Sequence, residues 1–152
     1  MTAPVDTLSA RMAAEDTVVR MFVATDERDW ATLEDCFTEP FTLDMTSMVG
    51  GAPSTLTPKD VARAWAEGFA ALDHVHHQVG NFRTTITPGQ AFVQCYGVAF
   101  HHRGRAAGQK TRVFVGTYEL LLIPSVRRWQ ISQLTFKLKF IDGNLDLEKD
   151  RT

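Results

Sequence analysis

The sequence predicts an α+β domain in which a curved sheet of meandering antiparallel strands wraps around N-terminal helices as a cone with one open end. Three observations carry this. Apolar residues recur at helical spacing from Leu8 to about Thr25 and again from Val61 to Leu72. From Val75 onward the pattern changes to alternation at a period of two. Turn sequences, Thr87-Pro88-Gly89-Gln90 and Pro124-Ser125-Val126-Arg127, then divide the second half into strands. A sheet curved around helices leaves one end open, and such a cone holds a pocket.

With 152 residues the chain suits one domain with a sizeable core, with 1–7 and 143–152 expected as peripheral tails. A hydrophobic fraction of 44% beside 22% charged residues is a globular composition and argues against disorder. The net charge of -2 gives no electrostatic footprint for nucleic acid or an anionic membrane, so neither is expected as a partner. No apolar run approaches the roughly 20 residues of a membrane span. The start, Met1-Thr2-Ala3-Pro4-Val5-Asp6, lacks the basic and apolar regions of a signal peptide, so a cytoplasmic location is expected. Cys36 and Cys95 have no spacing of a disulfide framework or ligand pair and are expected to be buried as small apolar groups.

In the first helix, Leu8, Met12, Val18, Val19, Phe22 and Val23 fall on one side. Asp26 continues that stripe, three and four residues after Val23 and Phe22, so it is either a solvated helix end or a buried acid facing a cavity. Asp29 is the expected N-cap of a short helix through Phe37. Pro40 breaks that pattern, and Phe41 to Thr46 then alternates as a strand, with Phe41, Leu43 and Met45 inward and Asp44 outward. Gly50 to Ser54 reads as a loop or lid, and Thr57-Pro58-Lys59-Asp60 as a capped helix start. The helix that follows, with Val61, Ala64, Trp65, Gly68, Phe69 and Leu72 as its stripe, is expected to be a structural lid helix, packed hard on its apolar side.

Strands are expected over 75–87, 91–103, 111–123 and 128–140. In the second of these the odd positions are small and the even ones large, which leaves room on the odd face and puts His101, not His102, at a pocket wall. Gly104 to Lys110 reads as a flexible, solvated basic loop. In the last strand the apolar phase slips between Ile131 and Leu134, which predicts a β-bulge near Ser132-Gln133 and places Phe136, Leu138 and Phe140 on one face.

Three of the five histidines stand where the helical pattern gives way to alternation, at His74, His76 and His77. On an extended chain His74 and His76 share one face and His77 takes the other; with His77 inward, Val79 and Asn81 point inward after it. Neighbouring histidines and a carboxylate raise the thought of a metal site, but no histidine pair is joined by a spaced acid partner, and no metal or other cofactor is expected. Acid-base chemistry needs less: one imidazole to take a proton and a carboxylate to hold a second imidazole in a defined tautomer. Asp26, His77 and His101 supply those parts if the first helix crosses the open end of the sheet.

The order and lengths of these elements, from Leu8 to Asp146, resemble the nuclear transport factor 2-like superfamily and, within it, the SnoaL-like and scytalone dehydratase-like group. Asp26-Glu27-Arg28-Asp29-Trp30 through Cys36 to Asp44 is similar to the scytalone dehydratase pattern of acid, acid-Trp, Cys and strand acid. His77-Gln78-Val79-Gly80-Asn81 is similar to that group's His-x-x-Gly stretch, which aligns on His77 or, one residue earlier, on His76. The resemblance implies a cone-shaped α+β barrel, a curved mixed, mostly antiparallel sheet wrapped around N-terminal helices, in which Asp26 hydrogen-bonds His101 and His77 is a general base removing a proton α to a carbonyl, with water leaving from the β position. Thr25 and Met45 stand where the dehydratase pattern has tyrosines, which leaves a cyclase, isomerase or hydratase of a polycyclic or steroid-like substrate open, with Tyr118 as an alternative donor. Phe22, Met45, Trp65 and Phe69 would then hold an apolar ring, with Asn81 beside them. A small hydrophobic molecule is the expected partner, in a homodimer or homotrimer. The same fold resembles the small subunits of ring-hydroxylating dioxygenases, which makes a non-catalytic binding subunit the competing expectation.

Overall fold

The computed structural model describes residues 4–150, and the side chains of 7–150. The elements run α1 (Pro4–Glu27), α2 (Trp30–Asp35), β1 (Phe37–Asp44), α3 (Thr46–Val49), β2 (Ser54–Leu56), α4 (Pro58–Phe69), β3 (His74–Thr87), β4 (Gln90–His102), β5 (Thr111–Pro124) and β6 (Trp129–Gly143). The strands form one sheet in the order β2-β1-β6-β5-β4-β3. All neighbours are antiparallel except β1 and β6, which are parallel. The expected α+β class holds, and the sheet is mixed and curved, but it does not close into a barrel. Helices complete the enclosure: α1 packs on both β6 and β3, while α4 packs on α2 and β1.

Local chemistry accounts for the helices. The Asp29 carboxylate accepts from the Thr32 N–H at 3.1 Å, as its N-cap position predicts. At α4 the Thr57 hydroxyl accepts from the Asp60 N–H and the Asp60 carboxylate from the Thr57 N–H, each at 3.2 Å, with Pro58 at the first helical position. The far end of α4 is held from outside: Arg28, in the left-handed region at φ 59, donates to the carbonyls of Phe69 and Leu72. The α4 stripe is Val61, Trp65, Phe69 and Leu72, whereas Ala64 and Gly68 face solvent.

Several expectations are corrected. The buried side of α1 is Ala14, Thr17, Val18, Met21, Phe22 and Thr25, while Leu8, Met12, Val19 and Val23 are exposed. The helix is apolar on two sides, and periodicity alone does not say which of them meets the sheet. Strand β1 begins at Phe37 and runs through Pro40, which sits where the β1–β6 register slips between Phe37 and Thr42 and no ladder N–H is required. The stretch expected as a plain loop includes α3 and β2. Beyond the end of the β1–β6 pairing, Ser47 of α3 satisfies β6, donating to the Phe136 carbonyl at 2.7 Å and accepting from the Leu138 N–H at 2.9 Å.

The bulge predicted near Ser132-Gln133 is present: Leu121 faces Gln133 and Leu122 faces Ile131, leaving Ser132 as the extra residue. A second, unforeseen bulge at Lys139 shifts the register between Leu138 and Phe140, so Phe140 is exposed and does not continue the inner face of Phe136 and Leu138. The C-terminal segment is not a loose tail. Leu147 is 0% exposed in a small second cluster with Leu72, Val75 and Ala106. The buried Arg103 guanidinium holds that segment by donating to the Leu147 and Glu148 carbonyls and to the Asp150 carboxylate. The 104–110 loop is fixed by the same contacts and is not merely solvated, since the Ala107 N–H bonds the Lys149 carbonyl at 3.0 Å. The expected tail at 1–7 falls partly outside the described residues, and from Pro4 its backbone is helical. No described helix is long and apolar enough to cross a membrane. Cys36 and Cys95 are both buried and free.

Gly97 shows how tightly the inner face is packed. A Cβ there would stand 2.1 Å from Cε2 of Tyr118. That ring is caught between Phe22 and Phe136, at centroid distances of 4.8 and 4.7 Å. Gly97→Ala should therefore destabilise the fold by about 1–3 kcal/mol. A urea midpoint equal to that of the unsubstituted protein would show that the ring can move aside.

Candidate active site

Alternation on β4 turns Cys95, Gly97, Ala99 and His101 inward, and on β3 it turns Val75, His77 and Val79 inward, so His77 lies directly across from Ala99. His74 and His76 point to solvent. Where these strands meet α1 and α4 there is a cavity of about 220 Å³. Its lining includes four of the expected ring-binding side chains, Phe22, Met45, Trp65 and Phe69, and its polar side chains are Thr25, His77, His101 and Tyr118. Met48, Phe114, Leu134 and Phe136 complete the apolar wall.

Asp26 lies in the last turn of α1, where that helix crosses β3. Its carboxylate accepts from the backbone N–H of His77 at 2.8 Å and meets His77 Nδ1 at 2.6 Å. Both side chains are largely covered, 16% exposed for Asp26 and 11% for His77. An ionised carboxylate only accepts, so Nδ1 is the donor of this contact and the neutral ring keeps its lone pair on Nε2. The ring packs against Phe22 at 5.1 Å between centroids. Asp26 is thus a largely covered acid that reaches the cavity through His77, and not a solvated helix end.

The pairing of Asp26 with His101 that the resemblance implied is not what the structure shows. His101 is 8% exposed and bonds Arg112, whose Nη2 stands 3.1 Å from His101 Nδ1. Arg112 is the register partner of His101 on β5, and its guanidinium is closed on the other side by Glu148, at 2.7 and 3.2 Å. Burial, with the Arg112 charge beside it, lowers the His101 pKa from 6.5 to about 4. Tyr118 is also buried, and desolvation pushes its phenol well above the usual range, so it is a neutral donor.

Asn81 does not reach the cavity. Between Gly80 and Arg83 the β3 register gains one residue against β4, and Asn81 adopts φ 54 at that bulge. The parity reverses there, so Phe82 and Ile86 pack inward while Asn81 lies in a separate surface depression. Asp44 faces away as expected and accepts from the N–H and hydroxyl of Thr46, at 3.0 and 2.7 Å, in a structural turn. Among the described residues no three His, Cys, Asp or Glu side chains gather as a metal-ligand set. Arg112 and Glu148 went unseen in the sequence reading. Counting the register outward from the turn between His102 and Thr111 would have set Arg112 opposite His101, but nothing local marks Glu148.

Helices laid across an open mixed sheet, with a parallel pair inside it and an apolar cavity beneath the helices, give the nuclear transport factor 2-like fold. The chain belongs to the SnoaL-like family, whose SnoaL-like domain matches residues 6–135. No curated protein is significantly similar to it in sequence. Among solved structures it is similar to a candidate aromatic ring hydroxylase from Novosphingobium aromaticivorans, 21% identical, covering 97% of this chain and 100% of that one at a TM-score of 0.79. It is also similar to a candidate scytalone dehydratase from the same organism, 14% identical over 91% and 90% of the two chains, at a TM-score of 0.78. A hexachlorocyclohexane dehydrochlorinase from Novosphingobium barchaimii is 13% identical over 94% and 95%, at 0.75. At these identities the likeness establishes the shared fold.

The lowered pKa of His101 ties stability to pH. Above about 6.5 the ring is neutral in both folded and unfolded chains; between 6.5 and about 4 only the unfolded chain takes up the proton. The stability that this group contributes is therefore lost as pH falls through that window. In His101→Gln, urea midpoints measured across it should fall less steeply than in the unsubstituted protein. Parallel curves would rule out the depressed pKa.

Proposed function

We propose that this protein is a cofactor-independent acid-base enzyme of the dehydratase, cyclase or isomerase type, acting on a small hydrophobic carbonyl compound. The observation that carries the reading is His77, bonded to Asp26 and lining a largely apolar cavity. Asp26 fixes the tautomer that leaves the Nε2 lone pair of His77 as a general base and stabilises the imidazolium once a proton has been taken. Phe22, Trp65, Phe69 and Met45 supply apolar walls for a ring. Tyr118 remains protonated and is suited to polarise the carbonyl oxygen. In a dehydration, Nε2 takes the proton α to the carbonyl and the C–H electron pair becomes the new double bond. The β-hydroxyl departs with its C–O electron pair, and the proton held by His77 leaves with it as water. Similarity to a candidate scytalone dehydratase and to a dehydrochlorinase supports an elimination on this fold.

A second reading, a non-catalytic binding subunit, is favoured by the exposed Tyr96, Phe100 and Phe140 and by the similarity to a candidate ring hydroxylase. Stable co-purification with a larger iron-containing subunit, together with no turnover, would favour it over the enzyme.

The test is a panel of β-hydroxy ketones bearing apolar rings, followed by the near-ultraviolet absorbance of the unsaturated product and, in deuterium oxide, by deuterium entering at the α carbon. His77→Gln and Asp26→Asn should each lower kcat by roughly 10²–10⁴-fold with unchanged circular dichroism. Full activity in folded His77→Gln would sink the assignment.

A further inference from the structure

We infer that Arg112, held by Glu148 of the C-terminal segment, locks His101 as the neutral tautomer with its proton on Nε2, so that this ring offers the cavity a fixed hydrogen-bond donor. The inference deepens the acid-base reading of the same site and rests on it for the identity of the acceptor. Arginine donates and does not accept at any accessible pH. A guanidinium Nη2 at 3.1 Å from His101 Nδ1 therefore requires a lone pair on Nδ1. A neutral imidazole with its lone pair there carries the proton on Nε2. Protonating Nδ1 as well would set N–H against N–H, so the contact opposes the imidazolium as much as the other tautomer.

The arginine is itself held in place. Glu148 grips it through both carboxylate oxygens, its guanidinium lies 5.4 Å from the Phe114 ring centroid, and its side chain is 14% exposed. Glu148 is carried on the segment anchored by the buried Leu147 and by the Arg103 bonds. The charged and titratable groups facing His101 are Arg112 from β5, Glu148 from the C-terminal segment, His77 from β3 and Asp26 from α1, with Phe69 of α4 and Phe114 of β5 against its ring. Asp26 is engaged by His77, which leaves Arg112 as the direct partner of the His101 ring. No protein group among the described residues takes the His101 Nε2, and the ring lines the cavity.

The two imidazoles consequently have opposite roles. His77 presents a lone pair and His101 presents an N–H. A substrate that uses both must place an acidic C–H at one and an oxygen acceptor at the other, which selects carbonyl or β-hydroxy compounds over purely hydrocarbon ligands. The remote arginine and glutamate act through His101 and are positioning residues.

The experiment is ¹⁵N NMR of the protein labelled on its histidine rings, recorded from pH 5 to 8 in the unsubstituted chain, Arg112→Met, Arg112→Lys and Glu148→Gln. In the unsubstituted protein His101 should show protonated Nε2 and unprotonated Nδ1 throughout. In Arg112→Met the two nitrogen shifts should converge as the tautomers mix, and a titration should enter the range. Arg112→Lys, which keeps a donor, should restore the first pattern, and Glu148→Gln should fall between. In the ketone assay His101→Leu should lose about 10²-fold in kcat, and Arg112→Met should lose kcat more than KM and gain an ionisation in its pH profile. A His101 with Nδ1 protonated, one that titrates near pH 6.5 in the unsubstituted protein, or one unchanged by Arg112→Met overturns the lock. The NMR arm needs no substrate, so its failure is distinct from retained activity in His77→Gln, which would overturn the reaction instead.

Discussion

The pair of hydrogen bonds that the Asp26 carboxylate accepts from the ring and backbone of His77 is the constraint on which the cavity depends. Helix α1 crosses an open sheet whose terminal strand, β3, has no neighbour beyond it. Thr17 pins the helix to β6 through the Trp129 carbonyl at 2.9 Å, and Asp26 pins it to β3, so α1 spans the gap and covers an otherwise unpaired edge. Hydrogen bonds to a charged acceptor are each worth about 1.5–3 kcal/mol, enough to set the helix angle. The same carboxylate therefore ties α1 to β3 and chooses which nitrogen of His77 faces the cavity.

Bulges decide which side chains share that space. Each inserts one residue and reverses the parity of everything after it. On β3 the reversal at Asn81 lets one strand present His77 and Val79 to the inner face and then Phe82 and Ile86 farther along. On β6 the bulge at Ser132 brings Leu134 and Phe136 inward, and the one at Lys139 sends Phe140 out again. Chemistry and packing are thus set by register as much as by residue type.

That explains what could be read in the sequence and what could not. The order of the longer elements, the two helix caps, the small inner face of β4 and the choice of His101 over His102 follow from local pattern, and the structure agrees with each, whereas the short α3 and β2 carry no periodic signal. Asp26 was legible as an acid on an apolar stripe. Its partner was not, because whether it meets His77 or His101 depends on where α1 crosses the sheet. Asn81 was misplaced because alternation was carried through a bulge that its own sequence does not announce. Glu148 was invisible, since a charged residue near a chain end looks alike whether it is solvated or closing a three-residue relay.

The parallel pairing of β1 with β6 joins Phe37 to Ile131, the first third of the chain to its last. Contacts so distant in sequence form late, because the loop that separates them must first be closed. During synthesis the inner edge of β1 thus waits, unpaired, until the β6 strand has emerged, and the Glu148 segment follows β6. The chemistry of the pocket is assembled from segments far apart in sequence, so its base can emerge before the groups that fix its donor.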